Sequence, residues 1–222
     1  MLRLTQLTAR LLETKQAELQ LIKWTDSEAN TDIGFSELAC KCCLEAYATM
    51  AEPGVTLTVL PPDINLTFTQ NGLQIKEKIE LKSSKGLYVP GSTIGKLDIA
   101  QPLIYCLRPN DPNGTYKFRY SQYYSSLGES DHDLFQDRTP RPAVNYTKMS
   151  DVSVDLTYVQ KDKGDWVEHY AKCALKRTED GYMASWQDIM VKKLIKMSID
   201  SYLKNTSIEE IQARRDALIS RV

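Results

Sequence analysis

Leu4, Leu7, Leu11, Leu12, Leu19 and Ile22 recur near the helical period, so residues 3–29 read as one amphipathic helix. TDIG at 31–34 interrupts it. Residues 35–50 read as a second helix with Leu38, Cys42, Ala46 and Met50 on one side, ended by Pro53-Gly54. The pattern then turns β-like. VTLTVL at 55–60 is a strand, Pro61-Pro62-Asp63 a corner, and INLTFT at 64–69 alternates Ile64, Leu66 and Phe68 with polar residues. Asn71-Gly72 is a hairpin turn signal, and LQIKEKIELKS at 73–83 is the return strand. PLIYCLR at 102–108 is apolar enough for a buried central strand, and TYKFRYSQYY at 115–124 looks like another. Residues 125–150 are loop-rich, SVDLTYVQ at 153–160 is a further strand, and from Trp166 onward the pattern is helical, with helices over 185–204 and 207–221. Helices, then mixed strands, then helices predict an α/β fold: a central mixed sheet flanked by helices. The expected organisation is one domain over 1–222, with a core at about 34–160 and helical segments at 1–30 and 164–222.

The hairpin has a chemical consequence. On the return strand, Gln74, Lys76, Lys78, Glu80 and Lys82 share one face, and Ile75, Ile79 and Leu81 share the other with Glu77. A two-residue loop at Asn71-Gly72 puts Asp63 opposite Glu80. Two carboxylates and the Lys82 ammonium therefore meet at one place. Paired carboxylates make a hard-oxygen site suited to Mg²⁺, with Mn²⁺ able to substitute. A lysine beside them can position water and offset phosphate charge. The plainer reading of Glu80 and Lys82 is a salt-bridged solvent face of the sheet.

At these residues the chain resembles the PD-(D/E)xK nuclease superfamily, whose best-known members are type II restriction endonucleases. The resemblance lies in Pro62-Asp63, then sixteen residues, then Glu80-Leu81-Lys82 within a β-hairpin. Gly34-Phe35-Ser36-Glu37 opens a helix upstream, where many members carry a metal-associated glutamate. Gln101 and Tyr105 have the Q-x-x-x-Y spacing of the RecB-like exonuclease branch, although Pro102 interrupts it and the segment reads as strand where that branch has helix. The resemblance spans about 34–108. It implies a restriction-endonuclease-like core and Mg²⁺-dependent hydrolysis of phosphodiester bonds in double-stranded DNA. Asp63 and Glu80 would bind the metal, Glu37 would be a third carboxylate, and Lys82 would act on the attacking water. Enzymes of this resemblance often dimerise, and the helical ends at 3–29 and 185–221 are candidate surfaces for a homodimer.

Composition narrows the partners little. The chain has 222 residues and formal charge −1, so bulk charge does not advertise nucleic-acid binding. Local candidates remain. Ser83, Ser84 and Lys85 follow the motif and could touch phosphate or merely end the strand. Lys117 and Arg119 share a strand face and could contact phosphates. DRTPRPAVNYTK at 137–148 carries Arg138, Arg141, Asn145 and Lys148, and Arg and Asn are the side chains that read guanine and adenine edges. Its alternative is an irregular surface crossover. Five cysteines, three of them Cys40, Cys42 and Cys43, lack a second C-x-x-C pair for zinc. They read as reduced packing thiols of a cytoplasmic protein. The N-terminus is broken by Arg, Glu and Lys and resembles neither a signal peptide nor a membrane span. A RecB-like exonuclease or repair nuclease is the second reading, and a non-catalytic nucleic-acid-binding or viral structural protein the third.

Overall fold

Asn71 and Gly72 both lie in the left-handed region, with φ 51° and 81°, as a two-residue type I′ hairpin loop demands. That turn sets the register of its flanking strands. The computed structural model describes residues 1–24, 32–92, 100–127 and 143–156, with scattered positions between 195 and 213. Strands β2 (Ile64–Gln70) and β3 (Leu73–Ser84) pair antiparallel from Gln70↔Leu73 to Ile64↔Ile79. Strand β1 (Thr56–Leu60) lies antiparallel on the outer side of β2.

The second half of β3 leaves β2 behind and pairs in parallel with β5 (Pro102–Leu107), from Glu80↔Leu103 to Ser84↔Leu107. β5 pairs antiparallel with β6 (Lys117–Gln122), and β6 with the two-residue β8 (Ser150–Asp151). The result is a mixed six-stranded sheet of order β1-β2-β3-β5-β6-β8. Flanked by helices, it makes the fold α/β. A small second sheet pairs β4 (Tyr88–Pro90) with β7 (Ala143–Asn145).

Helices α1 (Leu2–Thr14) and α3 (Ile33–Ala48) cover one face. Leu4, Leu12, Phe35, Ala39, Cys40 and Cys43 pack there against Ile64, Leu66, Ile79, Leu81, Ile104, Cys106 and Phe118. Each large apolar side chain so buried contributes about 1.5–3 kcal/mol. Strand alternation then sends Glu80, Lys82, Leu103 and Tyr105 to the other face. Short elements cover it: Tyr105 donates from its hydroxyl to the Gly86 carbonyl, 2.8 Å, and meets the Tyr146 ring edge-on at 5.4 Å.

Several expectations need correction. The helix expected over 3–29 ends at Thr14, because Lys15 leaves helical geometry with ψ 40°, and a short helix α2 (Gln16–Gln20) follows. Gln16 then pairs with the Tyr116 backbone in both directions, at 2.9 Å each, like an added strand residue. Leu4, Leu12 and Leu19 of this segment are buried in the core, and residues 25–29 of the expected helix lie outside the described residues. Met50, expected on the apolar side of α3, lies past its end and is exposed. The strand expected over 153–160 is turn and coil over 153–156, where Asp151 Oδ1 accepts from the Ser153 amide and hydroxyl at 2.9 and 2.7 Å. Residues 157–160 of that segment lie outside the described residues. β4 and β7 have three residues each, too few to display a period in the sequence. A 3₁₀ turn, Tyr146–Lys148, follows β7, and α4 (Tyr123–Ser126) follows β6.

The chain divides into two compact units, Met1–Gln160 and Lys161–Val222. In the second, the described positions Ile195, Ser198, Ile199, Glu209, Glu210, Gln212 and Ala213 are helical. Among the described residues, no helix is long and apolar enough to cross a membrane.

Candidate active site

The register places Asp63 one residue before the β2–β3 ladder begins, opposite Glu80. Asp63 adopts φ 56°, a left-handed conformation that Asp tolerates better than most residues. Its carboxylate is thereby turned onto β3. Oδ1 accepts from the Leu81 backbone amide at 3.0 Å. Oδ2 lies 2.8 Å from Lys78 Nζ. On the neighbouring α3, the Cys40 thiol donates to the Asp63 carbonyl at 3.5 Å.

Glu80 is the centre of the arrangement. Its side chain is only 6% exposed, and its two oxygens hold separate ammonium groups: Oε2 with Lys78 Nζ at 2.7 Å and Oε1 with Lys82 Nζ at 2.8 Å. Ser92 Oγ donates to Oε1 at 3.3 Å and Gln101 Nε2 to Oε2 at 3.4 Å. Burial on its own pushes the carboxyl up, but the Lys82 charge and the Lys78 hydrogen bond outweigh it and hold Glu80 below the ordinary carboxylate range. Burial likewise opposes the charge on Lys78, and the Asp63 and Glu80 carboxylates reverse that effect and raise it. Tyr123 lines the same region. Its hydroxyl accepts from the Ser92 amide, and burial together with the Glu80 charge raises the phenol.

The pairing of Asp63 with Glu80 and the presence of Lys82 beside them were legible in the sequence. The role of Lys78 was not. It lies on the face already assigned to Glu80, and the only signal was that shared parity together with its position next to Asn65 across the ladder. Ser92 and Tyr123 carried no signal, because Ser92 reaches Glu80 from outside the hairpin and Tyr123 acts on the site through Ser92.

The remaining candidates separate. Gln101 does reach Glu80. Glu37 is exposed on α3, one turn before Cys40, and does not join the two carboxylates. Among the described residues no group of three or more His, Cys, Asp or Glu is gathered around a point. Arg119 is committed to structure: Nη1 donates to the carbonyls of Tyr146, Thr147 and Met149 at 3.2–3.3 Å, and the guanidinium stacks 4.7 Å from the Tyr146 ring centre. Asn145, expected to read bases, is buried and caps the 3₁₀ turn, accepting from the Thr147 amide and hydroxyl at 2.9 and 2.7 Å. Ser84 Oγ accepts from the Gly86 amide at 3.0 Å and so closes the strand end. Ser83 is half-buried, while Lys85 and Lys117 are exposed. Arg138 and Arg141 lie outside the described residues. Cys40, Cys42, Cys43 and Cys106 are free and buried, as packing thiols should be.

Two carboxylate oxygens are hard donors of the type that Mg²⁺ takes. Asp63 Oδ2 and Glu80 Oε2 already converge on one positive atom, Lys78 Nζ, at N–H···O distances rather than the about 2.0–2.1 Å of a magnesium–oxygen bond. The ammonium thus marks a point where two hard oxygens meet positive charge. No protein-family model, curated protein or solved structure matches this chain.

Proposed function

We propose that the chain is a metal-dependent nuclease of the PD-(D/E)xK kind that hydrolyses phosphodiester bonds within double-stranded DNA at chosen sequences. One observation carries the reading: the carboxylates of Asp63 and Glu80 converge on a single cation position, with Lys82 held against the far oxygen of Glu80. Asp63 and Glu80 would hold Mg²⁺ or Mn²⁺. Such an ion, when bound, polarises a phosphate and stabilises the leaving oxygen. The protein's own contribution is positioning. The left-handed backbone at Asp63 and the Leu81 amide aim one carboxylate, while Ser92 and Gln101 steady the other. Lys82, fixed by Glu80, presents its ammonium where it can orient an attacking water and offset charge growing on the phosphate.

Double-strand cutting calls for two sites, so the working form on this reading is a homodimer. Buried reduced thiols fit a cytoplasmic setting. Gln101 and Tyr105 lie on a strand and its approach, which disfavours the exonuclease branch that has helix there. Supercoiled plasmid incubated with Mg²⁺ should yield discrete linear fragments, and Asp63→Asn should yield none. Progressive shortening from free ends would move the assignment to an exonuclease. Retarded but intact DNA with the parent protein would sink the catalytic reading and leave a binding module.

A further inference from the structure

Two carboxylates gathered in a largely buried place repel each other unless a cation lies between them. Lys82 cannot serve both, because it reaches only Oε1 of Glu80. Lys78 does serve both, with one nitrogen 2.8 Å from Asp63 Oδ2 and 2.7 Å from Glu80 Oε2. Yet Lys78 is the least buried member of the cluster: its side chain is 38% exposed, against 13% for Asp63. Lys78 also lines an open cavity of about 880 Å³, together with Lys76, Glu77, Asn65 and Gln101. A lysine stem has four rotatable bonds, so the ammonium can leave the carboxylates for that cavity without any backbone movement.

We propose that Lys78 is an internal counter-cation that occupies the metal position between Asp63 and Glu80 and must be displaced when a divalent ion binds. This rests on the metal-dependent reading above. Ammonium and metal compete for the same two oxygens, and like charge forbids both being there together. Lys78 therefore keeps the metal-free fold neutral at this point and weakens metal binding by the two charge-assisted hydrogen bonds that must be broken. It also makes the site discriminate by charge, since an ion too weakly attracted to both carboxylates cannot dislodge a tethered cation.

The test is Mn²⁺ binding to the full chain, followed by the paramagnetic resonance signal of free Mn²⁺, with the parent, Lys78→Met, Lys78→Arg and Asp63→Asn. Lys78→Met should bind about tenfold tighter or better, given the loss of two charge-assisted bonds to the competitor. Lys78→Arg, which keeps the charge, should bind no tighter than the parent, and Asp63→Asn should lose the site. A second measurement needs no variant. Acetylation of the parent protein, read by mass spectrometry, should label Lys78 faster when Mg²⁺ is added. Equal or weaker Mn²⁺ binding by Lys78→Met, or labelling of Lys78 that Mg²⁺ slows or leaves alone, overturns the counter-cation role while the metal site stands. Absence of binding by the parent and by Lys78→Met alike removes the metal site and this inference together.

Discussion

Replacing Lys82 by Met keeps an unbranched stem and removes the charge. Read as a strand lysine facing solvent, Lys82 would be worth almost nothing to stability, within about 0.5 kcal/mol. The structure puts it elsewhere: its side chain is 18% exposed, and Nζ lies 2.8 Å from an oxygen of the buried Glu80 carboxylate. A hydrogen bond to a charged group contributes about 1.5–3 kcal/mol net. Glu80 would keep Lys78, Ser92 and Gln101, so the loss should fall near the lower end, about 1–2 kcal/mol. At about 2–4 °C per kcal/mol for a chain of this size, Tm should drop by several degrees. The effect must also depend on pH. Glu80 is held below its ordinary 4.5, so its ion pairs stabilise the fold above that value and are lost as pH falls through the folded-state value. Urea unfolding in EDTA should therefore show the gap between parent and Lys82→Met open at pH 7 and narrowing progressively below pH 4.5. A gap under about 0.5 kcal/mol at pH 7, or one that persists unchanged in acid, would refute the placement of Lys82 against Glu80. On the nuclease reading, single-turnover cleavage by the same variant should fall about 10²-fold or more while DNA affinity changes little. A parental rate would take Lys82 out of the chemistry.

Other outcomes follow from particular contacts. Burial pushes the thiols of Cys40 and Cys42 up to about 11 and that of Cys43 to about 12, and raises Cys106 as well. At pH 8 a thiol-specific reagent should therefore find no more than one of the five cysteines in the folded protein and all five after denaturation. Rapid labelling of two or more would contradict the packing. Asn145→Ala should lower stability by about 1 kcal/mol, as losing a cap does, and leave the cutting pattern intact. A changed sequence preference in that variant would return Asn145 to the DNA interface. On the nuclease reading, and from the sequence alone, Arg141→Ala should relax sequence choice by about 1–3 kcal/mol at one base pair, scored by cleavage of single-base variants of the site, and unaltered discrimination would exclude it.

The hairpin and what depends on it were legible in the residues alone. Asn71-Gly72 admits one loop geometry, strand parity has a period of two, and together they carry Asp63 to Glu80 and send Glu80 and Lys82 to one face. The helical period likewise marked α3, and the apolar run at 102–108 marked the buried β5. These are local properties, set by backbone sterics and by side-chain spacing within one element. The environment of that face depends on packing between distant segments. Alternation can say that Glu80 points away from Ile79 and Leu81, but not that Ser92 and Gln101 bond to it from 12 and 21 residues away in the chain, with Tyr123 holding the Ser92 amide. Nor could it say that Arg119 and Asn145, chemically apt for nucleic acid, would spend their hydrogen bonds on the turn after β7. Burial of the carboxylates turned a strand-surface ion pair into a cluster of two carboxylates and two ammonium groups, with only Lys78 reaching toward solvent. In that setting, charges that water would screen must answer to one another, which is why Lys78 lies between Asp63 and Glu80 rather than in solvent.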